Sequence, residues 1–257
     1  MANRRQFLAV AAGAGVGIAR LLTTPAAMGQ ADPIQAPGGN EPKPASGPPR
    51  GPSDEHTQFV MSVSADPYQL FSQWYQDAKD AGESAVNNMT LATADVSGMP
   101  DVRVMTHQGI EDGRFIFTSF ADSVKGKEMQ SNDKAALLFY WAKPGRQVRV
   151  RGTVRQFSKA EADRRWNEKR SMRALRLRDL AWPQSEPYQS AEELEQRLSE
   201  IEKRYPGEVP RRDWTGYWIT PLSLEFYLPH PKTLLHERVR FVRRSIKHSW
   251  RGQRLAP

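Results

Sequence analysis

The sequence predicts a mainly β fold with flanking helices (the α+β class), in which an antiparallel sheet closes into a small barrel. Three observations predict it. Five short stretches of strand character follow one another between Asn87 and Val154. Turn chemistry separates them, at Ser97-Gly98, Asp112-Gly113 and Pro144-Gly145. Helical stretches lie before, between and after the strands without alternating strictly with them, so hairpins rather than parallel crossovers build the sheet.

Taken in order, 66–82 reads as a helix: Leu70, Phe71, Trp74 and Ala78 share one face, Pro67 opens it and Gly82 stops it. Strands follow over 87–96, 100–108, 113–120, 135–142 and 146–154, where aliphatic and aromatic residues recur at period two. A short helix over 121–132 interrupts them, with Asp122 or Ser123 as its N-cap. Next comes a charged amphipathic helix over 159–177. A further helix over 190–205 opens on a capping box, Ser190 with Glu193. The chain returns to strand over 214–228 and 234–244.

Composition narrows the chemistry. The chain has 257 residues and a formal charge of +8, which suits anionic partners. No zinc-finger, helix-turn-helix or RNP signature accompanies that charge, so nucleic acid is not an expected partner. There is no cysteine, which removes disulfides, thiolate metal sites and cysteine nucleophiles. His56, His107, His230, His236 and His248 show no metal-binding spacing, and no metal site is expected. Demanding chemistry on such a chain calls for an organic cofactor.

The N-terminal quarter reads differently. Residues 1–31 have a signal peptide's anatomy: Arg4 and Arg5, an apolar run from Phe7 to Ile18, then small residues from Ala26 to Ala31. The opening "NRRQFLA" resembles the twin-arginine export motif, which predicts an exported, periplasmic protein. Arg20 interrupts an apolar run too short for a spanning helix, so no stable membrane span is expected after cleavage. Residues 32–64 are rich in Pro and Gly and poor in aliphatic side chains, the composition of a disordered tether. The folded domain is expected over 65–257.

Within that domain the stretch "WAKPGRQVRVRGTV", 141–154, poses a question. Val148 and Val150 fall on one strand face, Gln147, Arg149 and Arg151 on the other. That polar face is either solvated or turned toward a ligand, and the strand alone leaves both readings open.

The ordered pieces "ADPYQLFSQW", "VRVMTHQGIEDGRFIFTSF", "SVKGKEM", "NDKAALLFYWAKPGRQVRVRGTV", "PQS", "WTGYWITPLSLEFY", "LLHER" and the terminal "RLAP" resemble the pyridoxamine 5'-phosphate oxidase family. The resemblance spans the whole expected domain. It implies an antiparallel split β-barrel that binds FMN, works as a homodimer and oxidises a small molecule. By resemblance, Arg103 and Lys125 hold the cofactor phosphate, a role that suits a guanidinium fork and an ammonium at a helix start. Val104, Met105 and Thr106 beside Arg103, together with Phe117, Thr118 and Ser123, are placed at the cofactor in the same way. Gln147 matches the glutamine that addresses the flavin, where an amide can both donate and accept. Gln184, Ser185, Tyr227 and Arg238 complete the implied pocket. His236 and Arg238 are the implied catalytic pair, and Gln108, Lys169 and His236 the implied substrate contacts.

The sequence departs from the family pattern mainly on the substrate side. Val124 stands where a second arginine is usual, Tyr227 replaces a tryptophan, Gln108 a lysine and Leu234 an arginine. Around the substrate loop, Lys169 alone keeps the expected charge; Arg165 or Trp166 replaces a tyrosine, and Arg173 stands near an expected serine. Three functions follow as expectations: an oxidase of pyridoxamine or pyridoxine 5'-phosphate using dioxygen, an exported FMN oxidoreductase with another substrate, or a non-catalytic flavin, haem or polyanion binder.

Overall fold

A computed structural model describes residues 62–168, 173–230 and 236–257. The expected signal peptide, nearly all of the expected tether, Lys169, Arg170 and Leu234 lie outside the described residues. Among the described residues, nine strands form one antiparallel sheet: β1 (Asn88–Ala94), β2 (Pro100–Thr106), β3 (Ile110–Glu111), β4 (Arg114–Phe120), β5 (Lys134–Trp141), β6 (Arg146–Gln156), β7 (Trp214–Leu228), β8 (Glu237–Val242) and β9 (Arg251–Leu255). Their order is β2-β1-β5-β6-β7-β4-β3, with β8 on β7 and β9 on β8. Beyond the end of β2, Gln108 N–H donates to the Ile116 carbonyl at 2.8 Å, and Ile116 N–H donates to the Gly109 carbonyl at 3.0 Å. These bonds join the two ends of the strand path and close the barrel, as the hairpin spacing predicts.

β7 serves two partners along one edge. Residues 214–219 pair with β4 and 223–228 pair with β8. Pro221 sits between the two blocks, opposite Gly152 of β6. On the other edge of β7 the register with β6 shifts between Arg151 and Gly152. A Cβ on Gly152 would stand 2.1 Å from the Thr220 carbonyl oxygen, so only glycine allows the strands to approach there.

Alternation on β5 and β6 follows the sequence. Leu137, Phe139, Trp141, Val148 and Val150 are buried, while Arg149 and Arg151 are exposed and Gln147 is half-buried. Helix α1 (Pro67–Asp80) lays Leu70, Phe71, Trp74 and Ala78 onto this core. The Phe71 ring stands edge-on to Phe115 and Phe139, with centroids 5.1 and 5.0 Å away. Each such side chain contributes about 1.5–3 kcal/mol on burial. Arg146 pairs with Asp77 and lies 4.9 Å over the Trp74 ring, tying α1 to the start of β6.

Helix α2 (Val124–Ser131) follows β4, and Ser123 rather than Asp122 is its cap. The stretch expected as one helix over 159–177 contributes two elements, α3 (Lys159–Glu168) and α4 (Arg173–Ala181). Arg176 lies 4.4 Å over the Trp166 ring and donates to its carbonyl, holding the two together. Helix α5 (Ala191–Arg204) has its predicted cap, Ser190 accepting from Glu193 N–H at 3.3 Å. The sequence reading did not anticipate β9, whose charged residues carry no apolar alternation.

Candidate functional site

Three elements bring two cations and an amide to one place. Arg103 points from the edge strand β2, Lys125 from the first turn of α2, and Gln184 from the loop after α4. Lys125 Nζ donates to Gln184 Oε1 at 2.8 Å and to Ser123 Oγ at 3.4 Å. Burial first, and then the nearby Arg103 guanidinium, hold the Lys125 ammonium below its ordinary pKa. Two cations kept together in this way are poised for an anion.

Arg103 is itself well held. It donates to Thr93 Oγ1, and its Nη2 reaches Asp101 Oδ2 at 2.5 Å and Glu128 Oε2 at 3.2 Å. Glu128 is buried on α2 and accepts from Thr93 Oγ1. Sequence reasoning missed Thr93, Asp101 and Glu128. Only Asp101 left a signal, sitting two residues before Arg103 on the same strand face.

Local packing fixes this end. A Cβ on Gly126 would meet the Ala121 carbonyl oxygen at 2.4 Å, so glycine lets the first turn of α2 press against the end of β4. Ser123 is fully buried; its hydroxyl donates to the Phe120 carbonyl at 2.7 Å and accepts from Gly126 N–H. The hydroxyl is thus spent on capping and on Lys125. Ser185, next to Gln184, has φ of 76°, a backbone conformation that non-glycine residues rarely adopt. Gln184 and Ser185 border a cleft of about 510 Å³ with Phe120, Asp179 and Trp182. Burial pushes the Asp179 carboxyl up to about 6, and its Oδ2 has no hydrogen-bond partner.

A second group lies on the outer face of the sheet. Cross-strand pairing aligns Tyr140, Gln147, Tyr227 and Arg238 in one row over β5, β6, β7 and β8. The Gln147 amide has no protein partner among the described residues. Arg238 is clamped by buried Glu225 through Nε at 3.2 Å and Nη2 at 2.8 Å, and donates to the Ala256 carbonyl at 3.0 Å. His236 packs its ring 5.1 Å from Tyr227, and its buried Nδ1 has no partner among the described residues.

The remaining expected site residues are spread more widely. Val104 is exposed on β2, and Met105 packs against the core. Thr106 and Gln108 line an open cleft of about 660 Å³ with Phe71, Tyr75, Asn87 and His107. Burial pulls the His107 pKa down to about 4, which keeps that imidazole neutral. Phe117 is fully buried and stacked on Tyr217 at 5.3 Å, so its side chain belongs to the core. Thr118 is half-buried opposite Gly216. Lys169 lies outside the described residues. Arg165 is engaged by Glu111 at 2.6 Å and by Glu161, and Arg173 donates to the Gly207 and Tyr205 carbonyls. Neither arginine is a spare cation for a substrate phosphate.

Comparison with known proteins agrees with this architecture. Residues 76–207 match the family model for pyridoxamine 5'-phosphate oxidase. Residues 214–257 match the pyridoxine 5'-phosphate oxidase C-terminal dimerisation region. The pyridoxine/pyridoxamine 5'-phosphate oxidase of Rhodopseudomonas palustris strain BisB5 is 38% identical over 205 residues, covering 78% of this chain and 94% of that protein. The protein of the same name from Mesorhizobium japonicum is 39% identical over 205 residues, covering 79% and 98%. Among solved structures, PhzG from Burkholderia lata 383, in complex with tetrahydrophenazine-1-carboxylic acid, superposes with a TM-score of 0.69 at 25% identity, over 77% of this chain and 96% of that one. An FMN-binding protein from Nostoc punctiforme shares the fold, with a TM-score of 0.56 at 16% identity over 76% and 100%.

The fold and the site thus define an FMN-binding split barrel of oxidoreductase type. The chain belongs to the pyridoxamine 5'-phosphate oxidase family, with FMN as its cofactor. The donors present fit that group: a guanidinium and an ammonium for a phosphate, and an uncommitted amide between two tyrosines for a flat heterocycle.

Proposed function

We propose that this protein oxidises pyridoxamine or pyridoxine 5'-phosphate to pyridoxal 5'-phosphate with dioxygen as acceptor. The observation that carries the reading is the convergence of Arg103, Lys125 and Gln184 from three separate elements, a built phosphate grip on a chain whose named relatives perform this oxidation. For the amine, a primary ammonium, dioxygen and water become an aldehyde, ammonium and hydrogen peroxide. Bound FMN supplies the two-electron acceptor. Arg103 and Lys125 hold its phosphate, Gln147 addresses its ring edge, and Tyr227 walls the ring. Arg238, fixed by Glu225, and His236, with its buried Nδ1 unpartnered, orient the substrate.

A second reading is favoured by the substrate side. Gln108 stands where the family pattern has a lysine, and Arg165 and Arg173 are committed to other partners. A different substrate, presented to the same flavin cradle, fits these losses. The structural neighbour PhzG, crystallised with tetrahydrophenazine-1-carboxylic acid, carries an aromatic acid instead. One experiment separates the two readings. Purified protein should be yellow, and adding pyridoxamine 5'-phosphate should release peroxide; a flavin-loaded protein that releases none rejects the first reading in favour of the second. Export by the twin-arginine route is part of the proposal and rests on "NRRQFLA". Exchanging both Arg4 and Arg5 for lysine should leave the protein in the cytoplasmic fraction.

A further inference from the structure

Two carboxylates meet the same nitrogen of Arg103, and they are not equivalent. Glu128 is buried on α2 and is fixed a second time by Thr93. Asp101 is half-exposed, with 52% of its side chain open to solvent. Its Oδ2 lies 2.5 Å from Arg103 Nη2, while its Oδ1 accepts from Val102 N–H at 2.7 Å. Because Asp101 and Arg103 are two apart on β2, their side chains leave the same face, so strand geometry alone keeps this acid beside the guanidinium.

The formal charges of the cradle therefore cancel: Arg103 and Lys125 against Asp101 and Glu128. Val124, the first residue of α2, adds no cation. A phosphate dianion entering here competes with these two acids for the Arg103 guanidinium. Glu128 is locked in place, whereas Asp101 opens onto water and can be solvated as it leaves.

We propose that Asp101 is a built-in competitor of the flavin phosphate for Arg103, and that it sets how tightly this chain holds FMN. The inference rests on the flavin reading above and adds a residue that determines cofactor affinity. It concerns the phosphate alone, so riboflavin, which has the same ring and ribityl chain without the phosphate, is the internal control.

The test uses the purified protein stripped of flavin and titrated with FMN and with riboflavin, following the quenching of flavin fluorescence. Asp101→Asn should bind FMN about tenfold more tightly than the unaltered protein, with riboflavin affinity changed by less than about twofold. Asp101→Ser should reproduce the gain, which separates loss of the charge from any effect of the asparagine amide. Unchanged or weaker FMN binding in both variants overturns the proposal. An equal gain for riboflavin overturns it too, since Asp101 would then act away from the phosphate. Failure of both the unaltered protein and the variants to bind FMN is a distinct result, and brings down the flavin reading together with this one.

Discussion

The two ends of the candidate site are built in different ways. At the phosphate end, side chains from β2, α2 and the loop after α4 converge and bond to one another, Lys125 to Gln184 across 59 positions of sequence. At the ring end, Gln147, Tyr227 and Arg238 form a row on the outer face of the sheet, with the His236 ring against Tyr227 and Glu225 against Arg238. The first end is a pocket made by one chain; the second is a single wall. That wall stands partly on β7 and β8, within the segment that matches the family's dimerisation region. The contrast separates two kinds of construction: the cations are held by bonds among themselves and their neighbours, whereas the outer row is aligned by strand pairing.

The largest effect should come from Arg103→Ala. Losing a charge-assisted fork while stranding Glu128 should weaken FMN about a hundredfold or more, with riboflavin little affected. Flavin absorbance of the protein as isolated, followed by titration, checks this; comparable loss of both ligands would erase the distinction between the ends.

Asp179 offers the next test, in the cleft that Gln184 and Ser185 border. Burial raises its carboxyl from 3.8 to about 6, so the fold favours the protonated form. The stability associated with that form is fully present below about pH 4 and is lost as pH rises through 6. Asp179→Asn should therefore stabilise the protein at pH 8 by at most about 3 kcal/mol, with the gain fading toward pH 4. Thermal melts across that range would show it, and a gain independent of pH would assign the effect to packing.

The smallest effect is expected at the ring end. Gln147→Ala removes about 1 kcal/mol of hydrogen bonding, roughly a fivefold weakening, and should affect FMN and riboflavin alike. A loss confined to FMN would place Gln147 at the phosphate and break the comparison.

Much of this was legible in the sequence for a physical reason. Alternation marked Val148 and Val150 as inward and Gln147 as outward, and the helical stripe of Leu70, Phe71 and Trp74 marked the buried face of α1. Periodicity failed where it carries no information. In Phe115-Ile116-Phe117 all three side chains are buried, so nothing in the run shows that Phe117 faces the core rather than the cofactor. β9 pairs through its backbone with β8, and its sequence, rich in arginine, gives no apolar rhythm. The bonds of Lys125 to Gln184 and of Glu128 to Arg103 join distant residues, and spacing does not encode them. The Ser123 hydroxyl looked available as a ligand, but capping had already claimed it.

The Pro221 junction in β7 has a consequence for how the protein tolerates change. Buried aliphatic and aromatic positions fall on Tyr217 and Ile219 before it and on Leu224 and Phe226 after it, so the extra residue at the register shift with β6 resets the phase of the strand. A one-residue deletion between 220 and 222 would leave the pairing with β4 intact and remove that bulge, straightening the strand and re-aiming the segment that carries Tyr227 and faces Arg238. Such a variant could keep a sound barrel while losing the wall on which the ring and Arg238 depend, so the length of this strand is as much a part of the site as any side chain on it.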